Sequence, residues 1–187
     1  MKKAYLAGDG LKKGNQILRG MERDAINALK TVHLFNPWDQ KDINDKTKNP
    51  TAEMIHEKDF NAMLDAEIII ADVDNNSVGT SVEMGEMNGV NYMLKRLHDI
   101  MIVANYAKSE EQFNEVVALQ VKRLLREIPI KDVYWHTSDV RDGATELEGQ
   151  WRRSHSYNQY LIGTMLMLSG EPMKFEEILE RLSVLNN

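Results

Sequence analysis

The residues best suited to chemistry are carboxylates and hydroxyls that follow a short apolar run in the first half of the chain. Residues 68–73 read IIIADV, and the polar loop 74–77 separates them from a helical segment that opens near Gly79. Acidic and hydroxyl side chains cluster here, at Asp72, Asp74, Thr80, Ser81 and Glu83. Two carboxylates in one cleft can divide the work of glycosyl transfer, one attacking the sugar carbon and one supporting or protonating the leaving group. The same residue types also cap helices, so the pattern leaves both interpretations open.

The elements that must position these side chains are predicted from the hydrophobic pattern. A short β-branched run between turn residues is typical of a strand covered on both faces, which is usually parallel. Strands are predicted at residues 4–7, 32–35, 68–73, 100–104 and 132–136, with helical segments between and after them. This alternation predicts an α/β layer fold with a five-stranded, mainly parallel sheet. Ligands of such sheets bind where strands end and helices begin.

A further carboxylate, Asp59, lies on a helix that Thr51 is predicted to cap. Its spacing puts it on or beside the apolar stripe, and the spacing does not decide whether the side chain points inward or into solvent. The chain has no cysteine, its five histidines lack metal-pair spacing, and neither a P-loop nor a G-x-S-x-G elbow is present. The glycines at 8–14 match the dinucleotide fingerprint poorly. We therefore expect neither a metal nor a cofactor.

Length and charge bound the remaining properties. The 187 residues predict one domain, with C-terminal helices at about 151–187 packing on it or on a neighbouring subunit. A net charge of −6 argues against nucleic acid as a partner. The first residues have too short an apolar run for a signal peptide, and no segment is long enough to span a membrane. We expect a cytoplasmic protein with a small-molecule ligand.

Four stretches, in order, resemble the nucleoside 2-deoxyribosyltransferases and their relatives, the deoxynucleoside 5′-monophosphate N-glycosidases. They are KAYLAG at 3–8, LDAEIIIA at 64–71, GTSVEMG at 79–85 and YNQYLIG at 157–163. The resemblance implies a flavodoxin-like, doubly wound sandwich. It also implies transfer of 2-deoxyribose between nucleobases by a retaining double displacement through a covalent ester.

The resemblance implies a role for each matching residue. Glu83 would be the nucleophile, Tyr5 would hold its carboxylate by a hydrogen bond, and Asp59 would bind the base and help to protonate it. Asn158 would meet the 5′ end of the sugar in the site of a neighbouring subunit. The substrate-binding set is then Gly8, Asp74, Ser77, Gly79 and Asn158. The partners would be a 2′-deoxynucleoside and a free nucleobase, and the chain would form a homo-oligomer, a dimer or larger.

One departure from the family pattern keeps alternatives open. Many transferases have Asp six residues before the nucleophile, whereas this chain has Ser77, as do relatives that act on 5′-monophosphates. Asp74 would fill the base-contact role from a shifted loop. The alternatives are a 5′-monophosphate N-glycosidase and a non-catalytic nucleotide-binding domain. Asp139 and Arg141 receive no firm role.

Overall fold

The computed structural model describes residues 1–73, 77–128, 158–170, 173–174 and 177–178. Three strands lie within them: β1 (Lys2–Gly8), β2 (Val32–Phe35) and β3 (Ile68–Asp72). The α-helices are α1 (Lys13–Ala28), α2 (Lys41–Asn44), α3 (Ala52–Asp65), α4 (Val78–Ala104), α5 (Glu110–Glu127) and α6 (Gln159–Ser169). Two 3-10 turns, Pro37–Asp39 and Lys46–Lys48, flank α2.

The strands form a parallel sheet in the order β2-β1-β3. Tyr5 pairs with Phe35 on one side and with Ile69 on the other, and the Tyr5 and Phe35 rings stack with centroids 5.6 Å apart. The central strand is the most buried, since its four residues 4–7 are almost fully covered. The prediction of an α/β fold with a parallel sheet is confirmed. The carboxyl ends of all three strands meet at one edge of this sheet.

The predicted strand at 100–104 is wrong, because these residues form the last turn and a half of α4. A short apolar run suits a buried strand and a buried helix equally well. Here no proline interrupts 78–104, so the helix that opens at Val78 continues by adding one hydrogen bond per residue. The predicted strand at 132–136 lies outside the described residues. The described part of the chain therefore has three strands where five were predicted.

Side-chain caps set the starts of two helices, and the first of these caps, at Thr51, was predicted. The Thr51 hydroxyl accepts a hydrogen bond from the Met54 amide at the start of α3. The Ser109 hydroxyl does the same for the Gln112 amide at the start of α5. Each cap satisfies an amide that would otherwise lack an intrahelical partner.

The chain groups into two compact units, Met1–Glu83 with Val133–Asn187, and Met84–Asp132. In the first unit, α6 packs on α3 through the buried side chains of Ala52, Ile162 and Leu166. In the second unit, the Glu127 carboxylate forms ion pairs with Arg96 Nη2 at 2.9 Å and with Arg123 Nε at 2.8 Å. None of the helices in the described ranges combines the length and the apolar character that crossing a bilayer requires.

Candidate active site

A cleft of about 900 Å³ opens at the carboxyl edge of the sheet in the first unit. Its described lining comes from the loop after β1, the segment after β2, helix α3, the first turns of α4 and the start of α6. This position is the one expected for a ligand site in an open α/β sheet, and the volume lies in the range of small-molecule pockets. The geometry below belongs to this cleft.

A short hydrogen bond at the cleft joins β1 to α4. The Tyr5 hydroxyl donates a hydrogen bond to Glu83 Oε1 at 2.6 Å, and both side chains are buried. Burial and the nearby negative charges of Glu83 and Asp59 raise the pKa of Tyr5 far above its usual value. Tyr5 therefore keeps its proton and acts as a fixed donor. The hydrogen bond predicted between these two residues is present, and its acceptor is Oε1 of Glu83.

Asp59 points inward from α3, which answers the question that its spacing left open between an inward and a solvent-facing side chain. Its side chain is buried, and its Oδ1 has no hydrogen-bond partner within the described residues. Burial, followed by the charge of Glu83, raises the pKa of Asp59 to about 8, although Lys58 acts in the opposite direction. At neutral pH the carboxyl is therefore largely protonated. A buried neutral acid beside a carboxylate is suited to donating a proton to a leaving group.

The start of α4 supplies the small and hydroxyl residues of the cleft. Ser77 and Thr80 are buried, and both line the cleft with Gly79. The Ser81 side chain turns away and donates to the Ser77 carbonyl at 2.8 Å. The positive end of the α4 dipole faces the same region, which favours an anionic Glu83 one turn further along. Asp74 lies outside the described residues, so its predicted role stays a prediction.

Asn158 reaches the cleft from the start of α6. Its Oδ1 caps this helix by accepting from the Leu161 amide at 3.0 Å. A Cβ added at Gly79 would lie 3.0 Å from Asn158 Nδ2, so the absent side chain at 79 leaves room for this carboxamide. In this single chain Asn158 lines the cleft, and its implied role in the site of a neighbouring subunit stays a prediction.

Several lining residues were not singled out by the sequence analysis. Two of them shape the cleft through their contacts, and the first is Arg19. Its side chain is buried and pairs with Asp72 at 2.5 Å and with Glu22 at 2.9 Å, while also donating to the Ala7 carbonyl. A Cβ on Gly8 would overlap the Arg19 guanidinium, so the absence of a side chain at Gly8 lets the guanidinium pack against the β1 backbone. Asp72 is thus engaged by Arg19. No sequence signal marks an arginine that folds inward from an otherwise polar helix face.

The second missed residue is Trp38, which follows β2 in the turn that Asn36 caps. Its indole Nε1 donates to the Gly8 carbonyl at 3.3 Å, and a Cβ on Gly10 would overlap its ring. Trp38 therefore forms a flat wall of the cleft beside the loop after β1. The sequence Asn36-Pro37-Trp38 could have identified this residue, because it ends the strand at Phe35. An aromatic residue directly after a parallel strand lies at the carboxyl edge of the sheet, where ligands bind.

The described residues contain no group of three or more His, Asp or Glu side chains placed to hold a metal ion. The hydrogen bond and the raised pKa of Asp59 describe a carboxylate, Glu83, and a carboxylic acid, Asp59, with Tyr5 as the donor that orients the carboxylate.

Comparison with family models identifies the family of the chain. The model for nucleoside 2-deoxyribosyltransferase matches residues 4–120, more than half of the 187 residues, and this range holds Tyr5, Asp59 and Glu83. Comparisons with curated proteins and with solved structures give no match. The chain belongs to the nucleoside 2-deoxyribosyltransferase family.

Proposed function

We propose that this protein moves 2-deoxyribose between nucleobases by a retaining double displacement in which Glu83 is the nucleophile. One observation carries the proposal: the 2.6 Å hydrogen bond from the Tyr5 hydroxyl to Glu83 Oε1, buried beside the protonated Asp59. A nucleophilic carboxylate must be ionised and aimed, and a neighbouring acid must hold a proton for the departing base. The substrates are a 2′-deoxynucleoside and a free nucleobase.

In the first half-reaction, Glu83 attacks C1′ of the deoxyribose. The C1′–O bond to the carboxylate forms as the bond from C1′ to the base nitrogen breaks, and the electron pair of the broken bond stays on the base. The proton of Asp59 passes to the base, which leaves neutral. The transition state has oxocarbenium character, so the negative charge of Glu83 stabilises it, and the missing 2′-hydroxyl makes it easier to reach.

In the second half-reaction, a nitrogen of the incoming base attacks C1′ on the face that the first base left. The C1′–O ester bond breaks, its electron pair returns to the Glu83 carboxylate, and the proton of the incoming base passes to Asp59. Two inversions give net retention. Water in place of the second base would give hydrolysis to free deoxyribose.

The charges around the cleft support a substrate without a phosphate. Its two described arginines are each paired with two carboxylates, Arg19 with Glu22 and Asp72, and Arg23 with Asp24 and Asp39. The acidic side chains of the described lining are Asp9, Asp39, Asp59 and Glu83. A phosphate dianion is best bound by arginines or lysines whose positive charge is not already neutralised, so these carboxylate pairs favour a 5′-hydroxyl.

The second candidate is hydrolysis of deoxynucleoside 5′-monophosphates, and Ser77 is the observation that favours it. Ser77 is buried and lines the cleft, where a hydroxyl could donate to a phosphate oxygen. Both candidates share the first half-reaction. They differ in the 5′ group that the enzyme requires and in the acceptor of the sugar.

The test is a chromatographic assay with one deoxynucleoside and a different free base, run with and without a 5′-phosphate on the donor. We expect a new deoxynucleoside from the unphosphorylated donor, and none with Glu83→Gln at unchanged circular dichroism. Free base and deoxyribose 5-phosphate from the phosphorylated donor alone would assign the hydrolase. Binding without turnover of either donor would reduce the protein to a nucleoside-binding domain.

A further inference from the structure

Arg19 is a buried cation that bridges three elements of the first unit. It enters from α1, and it is 1% exposed. Its Nη2 donates to Asp72 Oδ2 at 2.5 Å, and its Nη1 donates to the Ala7 carbonyl at 3.3 Å. Glu22, one turn further along α1, accepts from Nη2 at 2.9 Å. A buried guanidinium is costly unless its charge is paired, so these contacts fix where it lies.

The contacts of Arg19 lie at the carboxyl ends of two neighbouring strands. Ala7 is the next-to-last residue of β1, Asp72 is the last residue of β3, and Gly8 pairs with Asp72 at the end of the parallel ladder. Within the described residues β3 pairs with β1 alone, at one edge of the sheet. The end of a strand that is paired on one side opens at a low free energy. Arg19 adds a side-chain link between this end and β1, which we call the Arg19 clamp.

The same two strands lead to the hydrogen bond between Tyr5 and Glu83. Tyr5 lies two residues before Ala7 on β1, and Glu83 follows Asp72 through residues 73–77 and the first two turns of α4. The 2.6 Å separation of the hydroxyl and the carboxylate therefore depends on how the end of β3 is held relative to β1.

We propose that Arg19 is a positioning residue, which holds the ends of β1 and β3 together and so keeps Tyr5 and Glu83 aligned for the attack on C1′. Its two Nη groups donate to protein oxygens, so we expect the Arg19 clamp to act on kcat more than on KM. The inference rests on the proposed function for its activity readout. The effect of the clamp on the two strand ends needs no substrate.

Two carboxylate variants separate the Arg19 clamp from the charge balance of the arginine. Asp72→Asn and Glu22→Gln each remove one negative partner and leave the other to neutralise Arg19, but of these two carboxylates it is Asp72 that links Arg19 to β3. We expect Asp72→Asn to lower kcat about tenfold, since a misplacement of about 1 Å can cost up to about a hundredfold. Glu22→Gln should keep the wild-type kcat. Equal kcat values in the two variants would overturn the proposal.

A double-mutant cycle with Tyr5→Phe tests whether the effect acts through the hydrogen bond to Glu83. If the Arg19 clamp works by aligning Tyr5 with Glu83, Asp72→Asn has little left to disturb once the hydroxyl is gone. We expect Tyr5→Phe/Asp72→Asn to have nearly the same kcat as Tyr5→Phe alone. Losses that multiply in the double variant would show that the two sites act independently, which contradicts the proposal.

Hydrogen exchange measures the Arg19 clamp without turnover. Asp72→Asn should speed amide exchange at the carboxyl ends of β1 and β3, whereas Glu22→Gln should leave it unchanged. Unchanged protection of both strand ends in Asp72→Asn, with circular dichroism intact, would overturn the proposal. An inactive wild-type protein whose strand ends still respond to Asp72→Asn would instead contradict the proposed function and support the clamp.

Discussion

The Tyr5 hydroxyl and the Glu83 carboxylate, 78 positions apart in the chain, meet at 2.6 Å in a buried hydrogen bond. A hydrogen bond to a charged group contributes about 1.5–3 kcal/mol, so Tyr5→Phe should lower kcat about tenfold to a hundredfold by releasing Glu83 from its orientation. Steady-state transfer assays measure this. Tyr106→Phe is the matched control, since Tyr106 is 83% exposed, and it should leave kcat unchanged. Equal kcat values for the two variants would contradict the role of Tyr5.

The raised pKa of Asp59 predicts the pH dependence of transfer. The carboxyl is protonated below a pKa of about 8, and the acid form is the one that the departing base needs. We expect kcat/KM to fall as pH rises through about 8. Asp59→Asn should lower the rate about 10²–10⁴-fold and remove this limb of the profile, because no acid titrates there. A profile that keeps its alkaline limb in Asp59→Asn would assign the limb to another group.

The same pKa predicts a stability effect that needs no substrate. The pKa of Asp59 is about 8 in the folded protein, whereas the ordinary pKa of an aspartate is 3.8, so the folded protein holds a proton that the unfolded chain has lost between these pH values. The free energy of unfolding therefore declines as pH rises across this window. Urea denaturation of Asp59→Asn should show a shallower decline than the wild type. Parallel slopes would mean that Asp59 is ionised in the folded protein.

Trp38 is expected to stack on the nucleobase, because it forms a flat wall of the cleft that also contains Asp59. Stacking of a base on an aromatic ring is worth about 1–3 kcal/mol, so Trp38→Ala should raise KM for the acceptor base about tenfold with a smaller effect on kcat. Tyr106→Ala serves as the aromatic truncation control on an exposed site. An unchanged KM, with circular dichroism intact, would remove Trp38 from the base site.

Gly163 should tolerate a methyl group poorly. Gly163→Ala places a Cβ against the α3 backbone and should lower the free energy of unfolding by about 1–3 kcal/mol. Gly85→Ala is the control, since nothing lies within 4 Å of a Cβ there and alanine is the better helix former, which predicts a gain of up to about 1 kcal/mol. Urea denaturation of both variants measures the contrast. A neutral Gly163→Ala would show that α6 does not dock on α3 at this depth.

The local pattern of apolar and polar residues predicted much of this site, because the strand and helices that carry its main residues are defined by the sequence around each of them. A β-branched run before a polar loop placed β3 and the start of α4, and the period of α3 put Asp59 at its apolar stripe. The resemblance of the ordered stretches then named Tyr5, Asp59 and Glu83 as site residues, and the match to the family model confirms the family.

Longer-range relationships escaped prediction because local pattern does not contain them. Apolar residues recur at helical spacing along α1, yet the buried side chain of this helix is that of Arg19. Its partner Asp72 lies 53 positions away in the chain. Residues 100–104 have a strand-like composition, but they continue the helix that precedes them.

The sequence by itself determined the parallel α/β fold, the family and the three residues proposed for chemistry, because periodicity and residue order are local and one-dimensional. The tertiary structure decided that Asp59 is buried and that Arg19, Trp38 and Asn158 line the cleft. Burial, charge pairing and helix docking depend on atoms brought together from distant segments, and a pKa or a close contact exists only after those segments have packed.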